Sequence, residues 1–386
     1  MAEGALSGIK VLDFGQYIPG PYTAMLLAEQ GAEVIKVERP GGDPYRQQRG
    51  FIVWNRSKQG IVLDLKKSEG QQVALELAKQ ADVVIENFRP GVAEKLGVGY
   101  ETLRAVNPRL VYCSINGFGD RGPYRDIPGW EQLVDSLAAV YTFQGYGGYP
   151  LYIVMPLATH YAAFQAAFAI AAALCVREMT GKGQKVEISL LRAILCAQRL
   201  FLVQFTGMLK MPWGPTGPLP VYRAYQGSDG KWFFLALGNP KFFTQFCITM
   251  GHPEWLTDPL FEGAPWLILP PRNAQVMAML RKIFLARPRD EWVEKLRAEG
   301  IPCAPVRSTR EFMDDPQVAA VGMVQLVEQP GLGQVREMGI PVMLAATPGE
   351  IKGPAPRRGQ HTRVVLEGLG YSAATIQELQ RAGVCK

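Results

Sequence analysis

The chain has 386 residues, 48% of them hydrophobic and 20% charged, enough apolar material for a sizeable core and for more than one domain. Its net charge of +6 is scattered rather than gathered in one run, which favours anionic ligands and argues against a nucleic-acid-binding stripe. Six widely spaced cysteines without a CxxC, and only three histidines, argue against a metal site and point to reduced thiols in a cytoplasmic setting.

In chain order, residues 9–14 read as a short apolar strand, followed by a glycine- and proline-bearing turn at 17–21. Helical spacing over 22–30 puts Met25, Leu26 and Leu27 on one side, with Gly31 as a stop signal. A strand at 34–37 completes a parallel βαβ unit. The pattern recurs with a strand at 60–65, a helix at 68–79 and a strand at 82–86. Short helices at 92–96 and 100–106 and a strand at 110–115 follow. Ligands of such sheets gather beyond the carboxyl ends of the strands, so the loops 15–21, 39–44, 87–90 and 116–123 are the candidate site walls.

A long helix is expected over 157–179, ended by the break at 180–183, then a strand at 185–189 and a helix from 190 to 208. The apolar run 161–176 inside the first of these is short for a membrane span and reads as a buried helix; no membrane association and no signal peptide are expected. The proline-rich stretch 211–220 cannot continue a helix or a central strand and reads as the passage to a second, smaller domain. There, strands at 222–226 and 232–237 form a hairpin about 228–230, and helices follow at 241–250, 272–286 and 289–299. The segment 301–305 marks the return, and 315–386 reads as a tail docking on the first domain, ending in a helix at 373–382. The expected division is 1–210, 211–304 and 305–386.

Together these segments resemble the family III CoA transferases, the group of formyl-CoA transferase, carnitine CoA transferase and α-methylacyl-CoA racemase. The matching pieces are 6–14, 19–46, 55–66, 81–97, 114–124, the turn and strand 180–190, the IPCAPV turn 301–306 and 314–318. Several motifs in the right order make the resemblance specific. It implies a doubly wound, Rossmann-like α/β large domain built from both chain ends, an inserted smaller α+β domain, and an interlocked dimer. It also implies coenzyme A or acyl-CoA as substrate, with no metal.

Carried over residue by residue, the resemblance implies that Arg39 meets the nucleotide phosphates, as a fixed cation beyond a strand suited to a bidentate contact. Asn87 and Phe88 would line the CoA channel, Lys95 would lie near the phosphates, and Leu63 beside the adenine. Asn55 and Arg56 fit the turn that shapes this pocket. For each, the alternative is an ordinary surface or core residue.

The family's chemistry runs through an aspartate that attacks the thioester to give a mixed anhydride, then an aspartyl-CoA thioester. That aspartate sits at the start of the helix leading to the TGKGQ turn. Counting back 22 residues from Gly181, or three on from Pro156, lands on Thr159. A threonyl ester would be too stable to pass an acyl group on, and no neighbouring aspartate offers a carboxylate. Thr159 reads as a helix cap, and His160, one step along a helix, as a pocket-lining residue. Ile18 stands where formyl-CoA transferase has a glutamine, with Gln16 near. Trp130 stands where the racemase keeps a histidine, and Arg192 at a commonly acidic position. The expectation is a subunit of a heteromeric CoA transferase that works with a homologous catalytic chain, on the pattern of succinyl-CoA:benzylsuccinate CoA-transferase. The alternatives are a self-sufficient enzyme using another route, and a non-enzymatic CoA-binding scaffold.

Overall fold

The structure, a computed structural model, describes residues 4–144, 149–198, 202–207 and 219–386. Six parallel strands form its main sheet: β1 (Lys10–Asp13), β2 (Glu33–Glu38), β3 (Gln59–Val62), β4 (Val83–Glu86), β5 (Val111–Asn116) and β6 (Lys185–Ser189). Their order is β3-β2-β1-β4-β5-β6, the doubly wound arrangement that the resemblance implies. Helices cover both faces, which is why β4 is buried at every position and is apolar up to its terminal Glu86. The chain winds outward from β1 to β3, then restarts on the other side of β1 with β4. The crevice at this switch point opens beyond Asp13 and Glu86.

Two helices flank that crevice. The first, Pro19–Glu29, opens on prolines whose fixed φ suits the first helical turn. Its residues Gly20 to Glu29 are all buried. The second, Leu157–Thr180, ends where Gly181 adopts a left-handed φ of 72° and returns its N–H to Arg177 O. Its alanine-rich face (Ala158, Ala162, Ala163, Ala166) is buried, and Ala163 packs with Tyr22, Met25 and Leu26 of the first helix. The opposite face exposes Tyr161, Phe164 and Phe168, so the expected buried helix is buried on one side. Among the described residues this is the one helix long and apolar enough to cross a membrane, by length and composition only.

The chain divides into two compact units. The larger takes Met1–Ala139, Ile153–Val203 and Ala320–Lys386, and the smaller takes Val140–Tyr152 and Gln204–Ala319. These limits differ from the expected 1–210, 211–304 and 305–386: a short segment before the long helix joins the smaller unit, and the return falls at Ala320. The stretch 211–218, with Trp213, lies outside the described residues. The smaller unit holds an antiparallel sheet of β7 (Tyr222–Gln226), β8 (Trp232–Ala236) and β9 (Cys303–Pro305). Its core gathers Phe233, Phe246, Phe284, Trp255 and Trp292.

The tail adds a hairpin to the larger unit, β10 (Val324–Gln329) and β11 (Gly333–Met338), which the sequence reading left unassigned. Asp64 N donates to Val384 O at 2.7 Å and Val62 N to Thr362 Oγ1 at 3.1 Å, so both chain ends complete this unit. The helix expected over 190–208 is Leu190–Ala197; residues 199–201 and 208 lie outside the described residues.

Candidate active site

A cleft of about 880 Å³ lies in the larger unit at the β1–β4 switch point. The loop after β1 forms one wall. Gly15 and Gly20 approach so closely there that a Cβ on Gly15 would lie 2.8 Å from Gly20 Cα. Tyr17 holds a φ of 60°, an uncommon conformation for a bulky residue. Its N–H donates to Asp43 Oδ1 at 3.3 Å.

A buried charge network secures this loop. Lys36 Nζ donates to Gly15 O at 2.8 Å and pairs with Asp43 at 2.9 Å, both side chains fully buried. Lys58 Nζ contacts Asp13 Oδ2 at 2.8 Å, Pro21 O at 2.7 Å and Asn55 Oδ1 at 3.2 Å. Burial pulls the Lys58 ammonium down to about 8, against the opposing charge of Asp13. Asn87 joins the loops after β1 and β4: its Oδ1 accepts the Gln16 N–H at 2.7 Å and its Nδ2 donates to Gln16 O at 2.8 Å.

The facing wall comes from Trp130, Glu131 and the first turn of the long helix. Glu131 Oε1 accepts the Ala158 N–H at 2.7 Å. Its Oε2 accepts the Thr159 N–H at 2.8 Å and also the Thr159 hydroxyl. Pro156 holds the N-cap position and has no capping side chain, so Thr159 is the third helical residue and Glu131 does the capping. The sequence offered no aspartate beside Thr159; the fold brings a glutamate from 28 residues upstream. One turn along the Glu131–Leu137 helix, Asp135 is fully buried, and neither carboxylate oxygen has a hydrogen-bond donor among the described residues. Burial, and then the nearby charge of Glu131, push Asp135 up to about 7.

His160 also lines the cleft, and its Nδ1–H donates to Pro156 O at 2.5 Å. Half-buried rings of Tyr45 and Trp54 stand near it, and Trp130 packs edge-on to Tyr17 with centroids 5.3 Å apart.

The residues expected to hold CoA separate into two groups. Asn87 and Phe88 line the cleft, together with Thr159 and His160. Arg39 is exposed just beyond β2 and donates to Gly42 O at 3.0 Å, and Lys95 is exposed on the short helix after β4. Neither lines the cleft itself. Asn55, Arg56 and Leu63 are fully buried. Asn55 braces Lys58, and Leu63 belongs to the core under the tail helices. Arg56 pairs with Glu29 at 2.5 Å and Glu337 at 3.4 Å and donates to Met338 O at 2.5 Å. Its guanidinium thus ties the first helix to the hairpin of the tail, away from any ligand route within this chain. Of the charged cleft residues, Glu131 escaped the sequence reading, and Arg89, an exposed cation, lies in the loop 87–90 expected as a site wall. Arg89 directly follows the Asn-Phe pair and could have been flagged by that adjacency.

A second hollow of about 580 Å³ beside the tail hairpin is lined by Leu326, Ile340, Met343, Glu328 and Glu350 and has no cation to meet a phosphate. Among the described residues no three His, Cys, Asp or Glu side chains are grouped to hold a metal.

A doubly wound sheet with a cleft at its switch point is the arrangement in which ligands gather beyond the strand ends. Residues 6–362 match CoA-transferase family III, and the chain belongs to that family. It is 32% identical to succinyl-CoA–D-citramalate CoA-transferase of Chloroflexus aurantiacus, over 94% of each chain. It is 33% identical to formyl-CoA:oxalate CoA-transferase of Shigella boydii, covering 97% of this chain and 98% of that one. Among solved structures, Rv3272 of Mycobacterium tuberculosis superposes with a TM-score of 0.82 at 29% identity, over 94% of this chain and 99% of that chain. A CaiB/BaiF family protein of Brucella suis gives 0.82 at 29% identity, over 95% and 100%.

Proposed function

We propose that this chain is one subunit of a CoA transferase that moves CoA from an acyl-CoA donor to a carboxylic acid, and that a homologous chain carries the aspartate-borne step. The observation behind this reading is the Thr159 hydroxyl in the first turn of the long helix, where the family's chemistry calls for a carboxylate. An ester on that hydroxyl would not pass its acyl group to a thiolate. Trp130 at the racemase histidine position removes a proton shuttle and speaks against racemisation.

The strand-edge wall supports retention of the coenzyme. Asn87 is fixed against Gln16, Phe88 lines the cleft, and Arg39, Arg89 and Lys95 are exposed beyond β2 and β4 as cations for phosphates. Assembly as an interlocked dimer in a cytoplasmic setting, without nucleic-acid or membrane partners, completes the proposal. The apolar outer face of the long helix (Tyr161, Phe164, Phe168) is a surface that contact between chains would cover.

Expression beside a homologue that carries a Pro-Leu-Gly-Asp segment should yield a 1:1 complex with transferase activity. Equal activity from this chain purified alone would overturn the partner requirement. Arg39→Ala should weaken CoA binding by about 1.5–3 kcal/mol, measured by calorimetry. Unchanged affinity would remove Arg39 from the site.

A further inference from the structure

We propose that Glu131 is an acyl-carrying carboxylate in this chain's own cleft, reaching from the facing wall the place left by the missing aspartate. The inference rests on the transferase reading of the cleft and goes beyond it: a complex with a homologous chain would then contain two acyl-accepting carboxylates.

The geometry supplies what such a group needs. Glu131 lines the cleft and retains 8% exposure, and the hydrogen bonds its carboxylate accepts are buried. The Ala158 and Thr159 N–H groups hold it at the N-terminus of a 24-residue helix, where the aligned peptide dipoles favour negative charge. The two oxygens are not equivalent. Oε2 accepts two donors from Thr159, whereas Oε1 accepts one, from Ala158, and keeps lone-pair capacity. Asp135 adds a second observation: a fully buried carboxyl one turn from Glu131, whose own side chain is the group set against it.

The chemistry balances without an external proton or oxidant. Oε1 attacks the thioester carbonyl, the C–S bond breaks, and CoA leaves as thiolate, giving a mixed glutamyl anhydride. The thiolate attacks Cδ of Glu131, releasing the donor's carboxylate and leaving a glutamyl-CoA thioester. The acceptor carboxylate attacks Cδ, CoA leaves again as thiolate, and a second mixed anhydride forms. Thiolate attack on the acceptor's carbonyl yields the new acyl-CoA and restores Glu131. While Glu131 is acylated, Oε2 is a carbonyl oxygen facing the Thr159 N–H and hydroxyl, a pair of donors suited to the developing oxyanion. Thr159 is then a donor to the reacting carboxyl, neither a nucleophile nor an ordinary cap.

The test uses the protein in whatever assembly it purifies, incubated with succinyl-CoA as probe, quenched with hydroxylamine and mapped by peptide mass spectrometry. The expected result is a γ-glutamyl hydroxamate at Glu131, dependent on the thioester. Borohydride should instead trap the glutamyl-CoA stage as the corresponding alcohol at the same residue. Glu131→Gln should abolish both adducts, and Thr159→Val should slow their formation about a hundredfold. Mapping on the unaltered chain keeps the test valid if a variant fails to fold. No adduct at Glu131 in a preparation that binds succinyl-CoA and exchanges CoA overturns the inference and leaves the partner-borne reading standing. A preparation, with its partner present, that neither binds the thioester nor exchanges CoA overturns both.

Discussion

The two walls of the cleft are built by opposite means. The strand-edge wall is set by sheet pairing: the loops after β1 and β4 leave adjacent strands, so Asn87 reaches Gln16 although 71 residues separate them. Its supports, Lys36, Asp43, Lys58 and Asp13, come from β1, β2 and the segment between β2 and β3. The helix wall has no strand pairing to set it: Glu131 on one helix caps the first turn of another, 28 residues later.

Three substitutions separate these descriptions. Lys58→Met has the largest expected effect, because it leaves the buried Asp13 carboxylate and Asn55 without their shared partner. Breaking a buried pair from one side costs about 3–5 kcal/mol, so denaturant unfolding should show a loss of that size. A loss under about 1 kcal/mol would mean the loop after β1 is held by its backbone alone. Asn87→Leu should be next. It strips partners from the N–H and carbonyl of Gln16 and should weaken CoA binding by about 1–3 kcal/mol, with a smaller change in melting temperature. An equal loss of folding stability and binding would make Asn87 a structural residue only.

Asp135→Asn tests the helix wall and should act in the opposite direction. The folded-state value of Asp135, raised to about 7, lies above the ordinary carboxylate value. Its contribution is therefore fully present below the unfolded value and is lost as pH rises through about 7. Removing the charge should stabilise the protein by on the order of 1–2 kcal/mol at pH 8 and leave it nearly unchanged at pH 4. Urea unfolding at the two pH values reads the difference. A variant that loses stability at pH 8 would show that Asp135 has a charge partner, and the acid pair would not be frustrated.

Much of the parallel sheet was legible because its signals are short-range. Short apolar runs such as Val83-Val84-Ile85, bounded by Asp82 and Glu86, announce buried strands whatever they pack against. The strand Cys303–Pro305 was hidden inside a proline-rich turn; it exists because β8 offers it a free edge, which no local pattern records. The tail hairpin was missed for the same reason: exposed Leu326 and Leu332 blur the alternation that marks a half-buried strand.

The site divides along the same line. Asn87, Phe88 and Thr159 could be placed from motif position alone, and they line one cleft. Arg56 matched a motif equally well, yet the fold commits its guanidinium to Glu29 and Glu337, residues 27 positions before it and far along the tail. By itself the sequence determined the βαβ rhythm, the family resemblance and the absence of an aspartate at 159, because each is written in consecutive residues. Only the tertiary structure decided that Glu131 stands beside Thr159. The reason is physical: a helix N-terminus with unpaired N–H groups draws in a carboxylate from wherever packing delivers one, and sequence distance does not enter that energy.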